Sequence, residues 1–186
     1  MKLILPKALV PLPQEATLFF LAGPIKGGGD WQEKAISIIE RMAPEAYVAC
    51  PCRYETNHKL FRYALPGEAE HPFSSQTLWE RYYMELASRN RKGCIIFWLP
   101  EESATHPRPP ETGPYARDTY GELGEWRARL RLESPCPKVV IGAEAGFPGL
   151  SVIVKNFWAM VGEGLAIYPT LETTITVAIS LKQGLS

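Results

Sequence analysis

Several things are scarce in this chain of 186 residues, and each scarcity removes a class of function. Net charge is absent: Lys+Arg and Asp+Glu both number 20. No overall field gathers polyanions, so nucleic acid is set aside as a partner and any nucleotide contact must be a local device. Histidine is rare, and His58, His71 and His106 fall in loops without metal-ligand spacing, so no metal is expected. The four cysteines are spread out, and Cys50-Pro51-Cys52 is too tight for the usual zinc or thioredoxin spacings. Reduced structural thiols in a cytoplasmic protein are the expectation. No segment approaches the roughly 18 continuous apolar residues of a membrane span. The N-terminus, broken by Pro6, Pro11 and Pro13, carries no targeting pattern, and residues 1–16 read as an extended arm.

What is present is an ordinary globular composition, 46% apolar and 22% charged, in a length suited to one domain spanning residues 1–186. Thr17–Ala22 is a short apolar run ending at Gly23-Pro24, as in a strand covered on both faces. After three glycines, Trp31, Ala35, Ile38, Ile39 and Met42 recur at helical spacing. Ala46–Pro51 supplies a second strand, residues 52–73 a long loop, Ser74–Asn90 a helix, and Cys94–Leu99 a third strand. A proline-dense stretch, 100–118, has the character of a lid or binding loop. Thr119–Glu133 is predicted helical, Lys138–Gly142 a strand, Val152–Val161 a helix, Leu165–Pro169 a strand and Leu171–Lys182 the closing helix. Five strands alternating with helices predict an α/β three-layer sandwich around a parallel sheet.

In such a sheet, ligands sit beyond the carboxyl ends of the strands where the strand order reverses. Three segments converge there: Gly23-Pro-Ile-Lys-Gly-Gly-Gly29, the Cys52-Arg53-Tyr54 region, and Tyr115–Glu122. The glycine loop lets backbone approach a ligand, although it matches neither a Walker pattern nor GxGxxG, and a plain surface turn is its competing reading. Glu122, flanked by Gly121 and Gly124, is the carboxylate of most interest. Thr119-x-x-Glu122 also fits a capping box, which would make the glutamate a helix cap. Asp118 and Glu85 are further candidate acids, and Gln76 with Trp79 offers the amide and flat ring a nucleobase pocket uses.

Four blocks, Phe20-Leu-Ala-Gly-Pro-Ile25 followed by Trp31, Gln76-x-x-Trp79-Glu80, Ile96-Phe-Trp-Leu-Pro100 and Gly121-Glu-Leu-Gly-Glu-Trp126, occur in this order. Together they resemble the nucleoside 2-deoxyribosyltransferase-like family, from Leu18 to the final helix. The resemblance implies a Rossmann-like or flavodoxin-like five-stranded sheet, no cofactor, a homo-oligomer, and base exchange on a 2′-deoxyribonucleoside through a covalent intermediate. It places the nucleophile at Glu122, matches the acid that handles the base most nearly to Glu85, and gives Asp118 the sugar hydroxyls. Gly23, Pro24, Ile25, Arg53, Gln76, Trp79 and Arg117 are the expected substrate contacts. Arg117 beside Asp118 adds a cation suited to a 5′-phosphate, so a nucleoside monophosphate N-glycosidase is the rival enzyme. A non-catalytic nucleotide-binding module with Glu122 as a cap is the third reading.

Overall fold

The computed structural model describes residues 1–51 and 75–181. Its strands are β1 (Lys2–Ile4), β2 (Leu18–Ala22), β3 (Tyr47–Ala49), β4 (Cys94–Leu99), β5 (Val139–Ala143) and β6 (Ile167–Tyr168). The helices are α1 (Trp31–Met42), α2 (Gln76–Arg89), α3 (Arg117–Leu132), α4 (Leu150–Val161) and α5 (Leu171–Ser180). All strand pairs are parallel, in the order β1-β3-β2-β4-β5-β6. From β3 to β6 the order is that of a flavodoxin-like doubly wound sheet, and the direction of winding reverses between β2 and β4.

The central strands are apolar throughout because both faces are covered, and the pleat sorts their side chains into two cores. Phe20, Ala22, Ile95, Phe97 and Leu99 point toward Trp79, Tyr83, Met84, Leu123, Trp126 and Phe157 of α2, α3 and α4. Phe19, Leu21, Cys94, Ile96 and Trp98 point toward Trp31, Ala35, Ile39, Ile175 and Ala178 of α1 and α5. The result is the expected three-layer α/β sandwich, with six strands rather than five.

The sixth strand comes from the supposed arm. Lys2, Leu3 and Ile4 pair with Tyr47, Val48 and Ala49, and Leu3, Ile4 and Leu5 are buried. Only three residues pair before Pro6, so no strand period shows in the sequence; proline at the end of an edge strand costs no ladder bond. Beyond it the chain crosses the α2 face, where Trp79 Nε1 donates to the Ala8 carbonyl at 2.9 Å and the Val10 amide donates to Tyr83 Oη at 2.9 Å.

Between β2 and α1 the chain turns under tight constraint. Gly23 has φ +146°, and a Cβ there would lie 2.2 Å from the Trp98 carbonyl oxygen. Trp31 Nε1 donates to the Pro24 carbonyl at 2.8 Å and pins the turn from beneath. Gly23→Ala is therefore expected to lower stability by about 2 kcal/mol or more, read as a lower urea midpoint at unchanged m-value. A midpoint matching the wild type would show that the turn tolerates a side chain.

Candidate active site

A cleft of about 710 Å³ opens at the carboxyl edge of the sheet on the α2/α3 face, where the winding reverses. Its floor is Phe20, Ala22, Gly23, Pro24, Ile25 and Pro51, its walls are Gln76, Thr77 and Glu80 of α2 and Asp118, Thr119 and Glu122 of α3, and residues 108–117 close the outer side.

Helix α3 brings Glu122 to the cleft by a route the capping pattern does not describe. The helix starts at Arg117, behind Ala116, which lies in the left-handed region at φ 59° and makes no side-chain cap. This uncommon conformation for alanine turns the chain into the helix two residues ahead of Thr119. Thr119 is then a buried residue within the helix, and the Thr119/Glu122 capping box is absent. Glu122 stands in the second turn, partly buried, with no hydrogen bond or ion pair among the described residues. Asp118, one turn earlier on the same face, is exposed and pairs with Arg117 Nε at 3.3 Å.

The second acid in the cleft is Glu80. Ser75 caps α2 by accepting from the Leu78 amide at 3.2 Å, which sets Gln76 and Glu80 one turn apart on the cleft face. Gln76 Nε2 donates to Glu80 Oε1 at 2.7 Å and to the Pro51 carbonyl at 3.2 Å, fixing the carboxylate against the end of β3. Burial raises the Glu80 pKa above the usual carboxylate range; the Gln76 hydrogen bond opposes this, the Asp118 charge adds to it, and Arg81 opposes it. Glu122 is pushed up to about 7, first by burial and then by the Glu80 charge, with Arg81 opposing and Asp118 adding. Two partly buried acids on different helices thus face one cavity, each holding its proton more tightly than an ordinary carboxylate does.

Glu85 is not in this cavity. Its carboxylate pairs with Arg129 at 2.5 Å and with Arg89 at 3.4 Å. It is the middle rung of a ladder between parallel helices, Arg81 with Glu125, Glu85 with Arg129, and Arg89 with Glu133. Successive rungs are four residues apart on both helices, so the ladder keeps α2 and α3 in register. Trp79 is likewise a correction: it is fully buried between Phe20 and Tyr83 and presents no face to a ligand.

Gly23, Pro24, Ile25, Gln76, Arg117, Asp118 and Glu122 line the cleft together. Arg53 lies outside the described residues. Lys26, Thr77, Glu80, Arg108 and Glu111 were not singled out by the sequence as site residues, yet they line it too. Gly124, which flanks Glu122 in sequence, lines a separate recess against α4. The proline-rich stretch is an ordered wall: the Ser103 amide donates to the Gly27 carbonyl at 2.7 Å, buried Tyr115 donates to the Pro100 carbonyl at 2.8 Å, and Arg108 pairs with Glu102 at 2.8 Å. A second recess of about 700 Å³ lies past the glycine loop beside Trp98 and His106, but its acids Glu101, Glu102 and Glu144 are exposed. Among the described residues, no three His, Cys, Asp or Glu side chains are grouped to hold a metal ion. No described helix is long and apolar enough to cross a membrane.

Fold and cleft define a Rossmann-like, flavodoxin-ordered parallel α/β protein whose reversal point carries a pair of partly buried acids. In comparisons with known proteins, no family model matches the chain and no curated protein matches it.

Proposed function

We propose that this protein is an enzyme that exchanges or cleaves the N-glycosidic bond of a 2′-deoxyribonucleoside, with Glu122 as the nucleophile. The observation that carries the reading is the Glu122 carboxylate itself, standing in a large cleft without a partner among the described residues and free of the capping duty its sequence context suggests. A carboxylate left unpaired in a partly buried site costs stability, and function is the usual reason such a group is kept.

In its ionised form, Glu122 attacks C1′ as the bond from C1′ to the base nitrogen breaks and its electron pair leaves with the base. Glu80, whose proton affinity is raised by burial, supplies a proton to the departing base. A second base, or water, then attacks C1′ and returns the electron pair to Glu122; an incoming proton is handed back to Glu80. Two easier displacements replace one difficult one, and the configuration at C1′ is retained. Asp118 at the mouth is placed to accept from a sugar hydroxyl.

The presence of Lys26, Arg108 and Arg117 in the same lining favours a second reading, in which the substrate carries a 5′-phosphate and water is the acceptor. The resemblance in sequence also suggests that copies of the chain associate around this site. The test is to incubate the protein with deoxynucleosides and a different free base, then with deoxynucleoside monophosphates alone, and to resolve the products by chromatography. A new deoxynucleoside supports exchange, and free base released from the monophosphate supports hydrolysis. Binding without product in either mixture would end the catalytic reading.

A further inference from the structure

The cleft carries information about the charge of the base it holds. Glu80 and Glu122 line it, and neither makes an ion pair among the described residues. Among the described residues, the arginines nearby are engaged elsewhere: Arg81 with Glu125, Arg108 with Glu102 and the Gly113 carbonyl, and Arg117 with Asp118. Lys26, on the glycine loop, is exposed. The inner floor beside the acids, Phe20, Ala22, Pro24 and Pro51, is apolar and suits a flat ring. The Glu80 charge adds to burial in disfavouring ionisation of Glu122, and among the described residues no cation lining the cleft pairs with either acid.

From this juxtaposition of two unpaired carboxylates with an apolar floor, and resting on the function proposed above, we infer that the preferred substrate is a nucleoside whose base is itself cationic, as after alkylation of a ring nitrogen, and that Glu80 is the residue that reads this charge. Gln76 holds Glu80 in place by donating both of its amide hydrogens, to Glu80 and to the Pro51 carbonyl, so the carboxylate meets the ligand in a fixed orientation. A cationic base departs as a neutral molecule when the C1′ bond breaks. It takes the bonding electron pair and needs no proton, leaving Glu80 ionised throughout. A neutral base requires Glu80 to be protonated first, which adds a condition on every turnover.

Two isomers of one mass isolate the charge: 1-methyl-2′-deoxyadenosine, cationic at pH 7, and N6-methyl-2′-deoxyadenosine, which is neutral. Each is offered to the full chain for turnover, in whichever 5′-phosphate state the product assay shows to be used. Its dissociation constant is then measured in the Glu122→Ala protein with and without Glu80→Gln, because binding reads the charge apart from the proton a neutral base needs from Glu80. Glu80→Gln keeps the shape and an acceptor for Gln76 while removing the charge. The cationic isomer is expected to bind about tenfold or more tightly than the neutral one in Glu122→Ala, the two affinities approaching equality when Glu80→Gln is added. Equal affinities in Glu122→Ala, with ordinary deoxynucleosides turned over by wild type, overturn the charge preference and leave the proposed function standing. A preference that survives Glu80→Gln overturns the assignment to Glu80. If wild type turns over neither isomer nor any unmodified deoxynucleoside, the proposed function falls and this inference with it.

Discussion

Glu122→Ala should lower kcat by at least about 10³-fold and change ligand affinity only a fewfold, because the lost carboxylate bonds to C1′ in the transition state and touches the ground state lightly. The pH dependence separates a nucleophile from a bystander. Glu122 has its proton affinity raised to about 7, chiefly by burial, and only the ionised form attacks. The sign follows: kcat/KM of wild type rises about tenfold per pH unit on the acid side of 7, and on the alkaline side it declines as Glu80 loses the proton that a departing neutral base needs. Glu85→Gln serves as the control, since Glu85 sits in the ladder with Arg129 and does not line the cleft. It should keep wild-type kcat within about twofold, the loss falling on the α2/α3 contact as an exposed ion pair, worth at most about 1 kcal/mol. Steady-state rates of the three proteins between pH 5 and 9 decide the matter. A Glu122→Ala protein that retains its rate, or a wild-type rate flat across neutrality, removes Glu122 from the chemistry.

The contrast between Glu122 and Glu85 shows what the sequence could and could not disclose. Long apolar runs such as Cys94–Leu99 announce strands buried on both faces, and their alternation with helices is enough for the parallel three-layer architecture. β1 escapes because three residues before a proline carry no period. Helical spacing identifies a face but says little about depth along the helix, and Glu80 and Glu85 differ in just that respect: the first borders the cleft at the sheet edge, the second lies a turn deeper against α3. A usable signal was present. Arg81, Glu85 and Arg89 repeat every fourth residue, as do Glu125, Arg129 and Glu133 with the signs exchanged, which marks two helix faces made for each other and takes Glu85 out of the pocket. Trp79 misleads similarly, since an aromatic ring at the start of a pocket helix can face inward as core, and here it does. The start of α3 was beyond reach, because it depends on Ala116 adopting a left-handed conformation that only the surrounding fold imposes.

That same early helix start decides what Glu122 does to stability. A capping glutamate would stabilise the fold when ionised, and replacing it with glutamine would lower the melting temperature. Glu122 instead stands in the second turn of α3 without a partner among the described residues, and its folded pKa of about 7 lies above the ordinary value of 4.5. The folded protein therefore binds this proton more tightly than the unfolded chain does. Its contribution is fully present below pH 4.5, is lost as pH rises through 7, and leaves a constant deficit above that. Allowing for its partial exposure, the deficit amounts to about 2–3 kcal/mol. Glu122→Gln mimics the neutral acid at every pH, so at pH 8 it should melt several degrees above wild type, at roughly 2–4 °C per kcal/mol for a chain of this size, and at pH 4 the two curves should nearly coincide. Thermal unfolding followed by circular dichroism at both pH values reads the difference directly. A glutamine variant that melts below wild type at pH 8 would mean the carboxylate makes a stabilising contact within the protein, and the unpaired nucleophile would have to be given up. A variant that is more stable and inactive shows the opposite: the chain retains an ionisable group at a cost to its own folding, and the return on that cost is chemistry at the cleft.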